Sequence, residues 1–199
     1  MRLHIAQNVS ALPTWGFSTQ STPWWGTIAF IAIEGTAFAL AIGTYVYLYT
    51  VNAEWPIDAP PPNHWPGTLM LLVLLASIWP NYLTDRVARE EELVKVRLWL
   101  VVMSAVGLVT IAIRAFEFAH LNVSWDQDAY GSILWVILGL HATHLVTDVG
   151  DTLVLTVLMF TRHARPRRSS DVTDNAFYWY FVVLSWLPLY FLIYWVPRL

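Results

Sequence analysis

Five apolar segments, each long enough to cross a lipid bilayer, constrain the fold of this chain more than any other feature. They lie at about residues 24–50, 67–84, 97–119, 130–161 and 177–197. The second segment contains Pro80, which we expect to kink the helix rather than end it. We therefore predict an all-α fold, a polytopic membrane bundle of five transmembrane helices spanning 24–199, preceded by a cytoplasmic or interfacial tail at 1–23.

The composition agrees with a membrane protein. Of the 199 residues, 57% are hydrophobic and only 13% are charged, whereas a soluble domain carries about 25% charged residues. Twelve Trp and nine Tyr suit aromatic belts at two water–lipid interfaces. Cysteine is absent from the sequence, which excludes disulfides and thiolate metal sites.

Basic residues predict the orientation of the bundle. Nine of the eleven Lys and Arg residues lie on one side, namely Arg2, four residues of the 85–97 loop and four of the 162–175 loop. The loops on the other side carry four acids and no base. By the positive-inside rule, the N-terminus is expected in the cytoplasm and the C-terminus outside.

A polar stripe runs along the fourth segment, where ionisable groups are costly and usually functional. At about 100° per residue, a face about 80° wide holds four ionisable residues, His141, His144, Asp148 and Asp151. The opposite face holds small residues that would let a neighbouring helix pack closely, Ser132, Gly139, Thr143 and Gly150. His141 is expected near mid-membrane, and Asp148 and Asp151 near the inner interface.

Three further charges in the apolar segments need partners. Glu34 lies about ten residues into the first helix, at the depth of His141, and we predict a hydrogen-bonded pair between the two. Arg114 and Glu117 are one turn apart on the third helix and are predicted to pair with each other near the outer interface. If these residues have no functional role, Glu34 is expected to be a protonated carboxyl group in the core, and His141 and His144 are expected to form hydrogen bonds between helices.

The positions of the histidines argue against haem in this chain. A bis-histidine haem needs ligands on facing helices, whereas His141 and His144 lie on one helix. A copper or zinc site would need these two histidines and a carboxylate, for which Glu34 is the candidate. Midplane charges are also typical of transporters, but the chain has no broken-helix repeat. We expect no catalytic residue, no metal and no nucleic-acid partner.

Four stretches match, in order, the motifs of one membrane-protein family. The similarity begins at "WWG" (24–26), and Glu34 stands in the place of a buried acid. "RAFEF" at 114–118 is similar to Gln-x-x-Glu-Tyr, with Glu117 matching. "DAYGSILWVILGLHATHLVTD" is similar to an Asp and Tyr-Gly-Ser segment followed by His-Gly-x-His, the matches being Asp128, Tyr130, Gly131, Ser132, His141 and His144. With "FYWYFVVLSWLPLYFLIYW" (177–195), the chain resembles subunit III of haem–copper terminal oxidases, in the five-helix form.

Several positions depart from the motifs of that family. Arg114 replaces Gln, and Tyr180 and Val183 stand where the last helix usually has His and Asp. Asp148 and Asp151 are additional acids at comparable depth. We infer that the inner polar network has moved from the fifth helix to the fourth.

The resemblance implies a subunit without redox centres in the bacterial inner (plasma) membrane. Such a subunit packs directly on subunit I, which holds the haems and copper, in a complex with subunit II and other oxidase subunits. The complex reduces oxygen with electrons from cytochrome c or quinol and translocates protons during aerobic respiration. Subunit III supports proton uptake and stability during turnover, binds phospholipid and contacts membrane lipids.

The ionisable residues of the apolar segments give the candidate site residues. The polar membrane network would consist of Glu34, His141, His144, Arg114 and Glu117. Asp148 and Asp151 would form a proton-collecting surface, unless they pair with the arginines at 162–168 or with the 85–97 loop. Two other functions remain open from the sequence, an accessory subunit of nitric oxide reductase and a haem-b membrane anchor or electron-transfer subunit.

Overall fold

The described part of the chain folds into a bundle of five long α-helices. The computed structural model describes residues 21–57, 59–161 and 169–199. Within these ranges there is no strand, and the elements in order are α1 (Thr22–Val51), α2 (His64–Arg89), α3 (Leu93–Ala119), α4 (Ala129–Phe160), α5 (Ser169–Tyr194) and a 3-10 turn (Val196–Arg198). All five helices are long and apolar enough to cross a membrane. The predicted all-α fold with five helices of membrane-spanning length and composition is confirmed.

The ends of the helices follow local chemistry. The Ser21 hydroxyl caps α1 by accepting a hydrogen bond from the Trp24 amide at 3.4 Å, and Pro23 occupies the first turn, where its missing N–H costs nothing. Pro80 lies inside α2, which continues to Arg89 and is not ended by the proline. The predicted tail at 1–23 lies outside the described residues except for its last three.

The start of α5 differs from the prediction. The helix begins at Ser169, eight residues before the predicted 177, so the polar stretch "SSDVTDNA" is helical rather than a loop. Ser169 and Thr173 are each 1% exposed. This stretch packs against other helices, and those contacts outweigh the weak intrinsic preference of Ser, Thr, Asp and Asn for a helix.

Four of the helices form a closed ring. α2 packs against α3 and α5, and α4 packs against α3 and α5, so each helix of the ring has two neighbours in it. α1 lies outside this ring, against α4 and α5. Burial follows this arrangement, because half of the apolar window of α4 is buried but only 11% of that of α1.

The small-residue face of α4 is not covered by another helix among the described residues, so the predicted close approach of a neighbouring helix at this face stays a prediction about packing outside the chain. Ser132, Thr143 and Gly150 are exposed, and a methyl group added at Gly139 or Gly150 would meet no atom within 4 Å. The polar face is the buried one, with His141, His144 and Asp148 among its members. α4 turns this face inward because polar partners on α1, α3 and α5 are found there.

Consecutive helices alternate in direction, so one end of the bundle contains the start of α1, the α2–α3 connection and the start of α5. We call it the inner end, after the orientation predicted from the basic residues. Arg162, Arg165, Arg167 and Arg168, on which part of that prediction depends, lie outside the described residues.

Candidate functional site

A buried arginine is the centre of the first polar cluster. Arg114 Nη1 lies 2.6 Å from Glu117 Oε2, and the two side chains are only 3% and 1% exposed. Tyr194 donates its hydroxyl hydrogen to the other oxygen of Glu117, and the Arg114 guanidinium lies 4.0 Å from the ring centroid of Trp186. The predicted Arg114–Glu117 pair is confirmed, but it is fully buried. We call these residues, with His141, the arginine cluster.

The arginine determines which nitrogen of His141 carries the proton. Arg114 Nη2 lies 2.9 Å from His141 Nδ1, and because a guanidinium only donates, Nδ1 must accept. The other nitrogen, Nε2, then carries the hydrogen and donates to the Val182 carbonyl at 3.0 Å. Both ring nitrogens are therefore occupied by fixed partners, and His141 is held as a neutral imidazole.

Glu34 is the centre of the second polar cluster. The Tyr178 hydroxyl donates to Glu34 Oε2 at 2.5 Å, and Glu34 Oε1 lies 3.3 Å from His144 Nε2. His144 Nδ1 donates to the Leu140 carbonyl at 2.6 Å. With Nδ1 donating to its own helix, the Nε2 atom of His144 faces the Glu34 carboxyl group at ion-pair distance.

The predicted pair between Glu34 and His141 is wrong. The partner of Glu34 on α4 is His144, whereas both nitrogens of His141 are engaged by Arg114 and Val182. Three residues along a helix rotate the side-chain direction by about 60°. His144 therefore faces α1, and His141 faces α3 and α5. Similar predicted depth therefore does not select the partner of Glu34, because both histidines meet that criterion.

Polar residues of α5 extend the second cluster toward the inner end. Asn175 donates through Nδ2 to Asp148 Oδ1 at 2.7 Å and accepts from the Thr152 hydroxyl at 3.0 Å. Asp148 is only 3% exposed, and its second oxygen has no hydrogen-bond partner. Asp151, one turn further along α4, is exposed. The polar network therefore extends over both α4 and α5, which corrects the inference that it had moved from the fifth helix to the fourth.

These groups surround one pocket between α1, α4 and α5. Its volume is about 350 Å³, and it is lined by four carboxylates and by polar or aromatic side chains that include Glu34, Asp148, Asp151, Asp174, His144 and Tyr178. The hydroxyl of Thr27 on α1 donates to Asp174 at 2.5 Å. We call this cavity the acid pocket.

The structure divides the predicted site residues between two places. Arg114, Glu117 and His141 belong to the arginine cluster, whereas Glu34 and His144 line the acid pocket with Asp148 and Asp151. Five further contributors come from α5 and were not among the predicted site residues: Asp174, Asn175, Tyr178, Trp186 and Tyr194. Asp174 and Asn175 each lie about one turn before Tyr178, so a helix that begins at residue 169 carries a polar stripe that a helix beginning at 177 lacks.

The side chains proposed for a copper or zinc site do not converge. His141 lies in the arginine cluster with both nitrogens engaged, which leaves Glu34 and His144 without a third ligand from that set. Across 21–57, 59–161 and 169–199, no group of three or more His, Cys, Asp or Glu residues is arranged to hold a metal ion.

Glu34→Ala tests the contacts of the second cluster. It leaves the Tyr178 hydroxyl without its acceptor and His144 Nε2 without its ion-pair partner, and we expect a loss of about 1–3 kcal/mol in the free energy of unfolding. Unfolding of the purified chain in detergent micelles measures this. Thr36→Ala is the matched control, because exposed Thr36 bonds only the Ala32 carbonyl of its own helix. Equal stability of the two variants would contradict the assigned contacts.

Comparisons with known proteins identify the family of this chain. A family model described as "Cytochrome c oxidase subunit III" matches residues 26–197. "Cytochrome c oxidase subunit 3" of Thermostichus vulcanus is 23% identical over 176 residues, 87% of each chain. "Probable cytochrome c oxidase subunit 3" of Mycobacterium tuberculosis strain H37Rv is 26% identical over 181 residues, 86% of each chain. The similarity covers all five helices, and the chain belongs to the cytochrome c oxidase subunit III family.

Proposed function

We propose that this chain is a subunit without redox centres, which packs on subunit I of a terminal oxidase in the bacterial plasma membrane and sustains proton uptake and stability during oxygen reduction. The family match over residues 26–197 is the observation that carries this proposal. The electron donor of the complex would be cytochrome c or quinol. The haems and copper would be held by partner subunits, and phospholipid would be bound at the surface of the bundle.

Exposed surfaces of α1 and α4 support packing against a second membrane subunit. α1 exposes large apolar side chains such as Ile33 and Leu40, which are 70% and 68% exposed. The neighbouring face of α4 exposes Ser132, Thr143 and Gly150, which allow a foreign helix to approach closely. We assign this combined surface to subunit I or to the lipids that surround it.

Mass spectrometry of the proteins that co-purify with the tagged chain tests the assignment to an oxidase. Subunits I and II of a haem–copper oxidase are expected. Nitric oxide reductase subunits in their place would contradict the proposal and support an accessory role in that enzyme.

The isolated full-length chain is expected to show no visible haem absorption and no stoichiometric copper. The basis is that His141 and His144 lie on one helix and that His141 has both nitrogens engaged by protein partners. An optical spectrum and elemental analysis of the purified chain measure this. A stoichiometric haem signal would instead support a haem-b membrane anchor.

We further propose that the acid pocket collects protons for the neighbouring uptake channel of subunit I. Glu34 Oε1 and His144 Nε2 lie 3.3 Å apart, and Asp151 is exposed at the inner end. Asp148 lies between them along α4. This arrangement supports the transfer of protons from the inner surface to the middle of the bundle, by way of Asp151, then Asp148, and then Glu34 and His144.

Asp148→Asn combined with Asp151→Asn tests the collecting role in the assembled oxidase. Free protons are scarcer at high pH, so the loss of local acids should slow turnover more at high pH than at low pH. Steady-state oxygen consumption across the pH range measures this, and Asp85→Asn with Glu90→Gln is the control at the same end of the bundle. An unchanged pH–rate profile in a fully assembled variant would rule out the collecting role.

A further inference from the structure

The acid pocket has an unusual charge balance for a cavity inside a membrane bundle. Four carboxylates line it, Glu34, Asp148, Asp151 and Asp174, and no Lys or Arg is among its described lining residues. Carboxylates that share one pocket raise each other's free energy when ionised. A bound cation would remove that cost.

Asp148 points to a ligand independently of the number of acids. Only 3% of the residue is exposed, and one of its carboxylate oxygens accepts a hydrogen bond from Asn175 at 2.7 Å. The second oxygen has no hydrogen-bond donor. A buried carboxylate oxygen without a donor is costly, and a donor that enters the pocket would satisfy it.

The walls of the pocket indicate the kind of cation. Metal ions are disfavoured because the described residues contain no group of three ligands arranged around one point. The rings of Phe30 and Tyr178 lie side by side with centroids 5.8 Å apart, and aromatic rings attract organic cations as well as apolar groups. The volume of about 350 Å³ exceeds that of a bare ion.

We propose that the acid pocket binds a primary organic ammonium group. Its three N–H donors match carboxylate and hydroxyl acceptors, the free oxygen of Asp148 foremost. The group can enter from outside the chain, because Thr143, Thr147 and Asp151 are exposed where they line the pocket. Either the headgroup of an aminophospholipid or a soluble amine supplies this chemistry. The proposal stands apart from the proton-collecting role, since it concerns binding and not turnover.

Native mass spectrometry of the purified full-length chain tests the proposal with phosphatidylethanolamine and phosphatidylglycerol of identical acyl chains. We expect preferential retention of phosphatidylethanolamine. Asp148→Asn with Asp151→Asn should reduce that preference by about tenfold, because charge-assisted hydrogen bonds to the ammonium are lost. Asp85→Asn with Glu90→Gln removes two acids at the same end but outside the pocket, and should leave the preference unchanged.

Soluble ethanolamine distinguishes the two sources. A free amine is sufficient if ethanolamine displaces phosphatidylethanolamine, or if calorimetry detects ethanolamine binding although the chain retains both lipids equally. The lipid headgroup is the ligand if phosphatidylethanolamine is preferred and ethanolamine neither displaces it nor binds. Equal retention of the two lipids together with no ethanolamine binding would overturn the proposal, as would a preference that survives in the double variant. Asp151→Asn alone, at an exposed position, repeats the test in case the double variant fails to fold.

Discussion

Arg114→Leu is expected to destabilise the chain by about 3–5 kcal/mol, because it leaves Glu117 as a buried carboxylate without its counter-charge. Among the residues that the structure describes, Tyr194 would be the hydrogen-bond donor left to that carboxylate. His141 would also lose the donor to its Nδ1 atom. Equilibrium unfolding of the purified chain in detergent micelles measures the change.

Two further variants separate the buried charge from a general effect of substitution. Arg114→Leu with Glu117→Leu removes both charges and should recover part of the lost stability, since well-packed apolar residues often replace a buried ion pair at little cost. Arg86→Leu disrupts the exposed Arg86–Glu90 pair and should cause no measurable change. If Arg114→Leu were no worse than Arg86→Leu, the arginine cluster would not be an important source of stability.

Gly131→Ala is expected to cost about 1–3 kcal/mol through overpacking at the start of α4. A methyl group at this position would lie 2.2 Å from the Ser124 carbonyl oxygen and 2.8 Å from a methyl carbon of Val123. The carbonyl belongs to the backbone of the turn that leads into α4, so the turn itself must move. That shift would also disturb the N-cap, where Asp128 accepts from the Gly131 amide at 2.6 Å. Thermal unfolding in detergent micelles measures the loss.

Gly139→Ala is the matched control on the same helix. An added methyl group there meets no atom within 4 Å, and alanine is a better helix former than glycine by about 0.8–1 kcal/mol. This variant should be as stable as the natural chain or more stable. A similar loss of stability in both variants would show that close packing at Gly131 is not the cause.

The same contacts give a physical reason for the Asp and Tyr-Gly-Ser motif by which the family was recognised. Asp128 caps the helix, Tyr130 is fully buried, and Gly131 lets the preceding turn approach. Ser132 donates its hydroxyl hydrogen to the Trp125 carbonyl at 2.6 Å. The motif therefore fixes how the chain enters α4, the helix that supplies both histidines of the two polar clusters.

The two clusters differ in their surroundings. In the arginine cluster, His141 is held between a permanent donor and a backbone carbonyl, so its hydrogen is fixed in position. In the acid pocket, Glu34 and His144 lie 3.3 Å apart beside a cavity that three further carboxylates line. Stability is thus expected to depend mainly on the first cluster, and proton transfer or ligand binding on the second.

Local chemistry in the sequence determined the number of helices, their order and the pair between Arg114 and Glu117. Long apolar runs must cross the bilayer as helices, because the membrane core offers backbone groups no other partners. A spacing of three residues on one helix brings two side chains together whatever surrounds the helix. These features required no knowledge of how the helices pack.

Packing decided the rest of the site. From their predicted depth, both His141 and His144 are candidates for the contact with Glu34. The rotation of α4 about its axis turns His144 toward α1, and this can be seen only in the packed structure. The polar start of α5 was predicted to be a loop, since only its tertiary partners make it helical: Asn175 is held by Asp148 and Thr152, and Asp174 by Thr27. Tyr178 and Tyr194 became parts of the site for the same reason, because a hydroxyl acquires its role only when a neighbouring helix presents an acceptor to it.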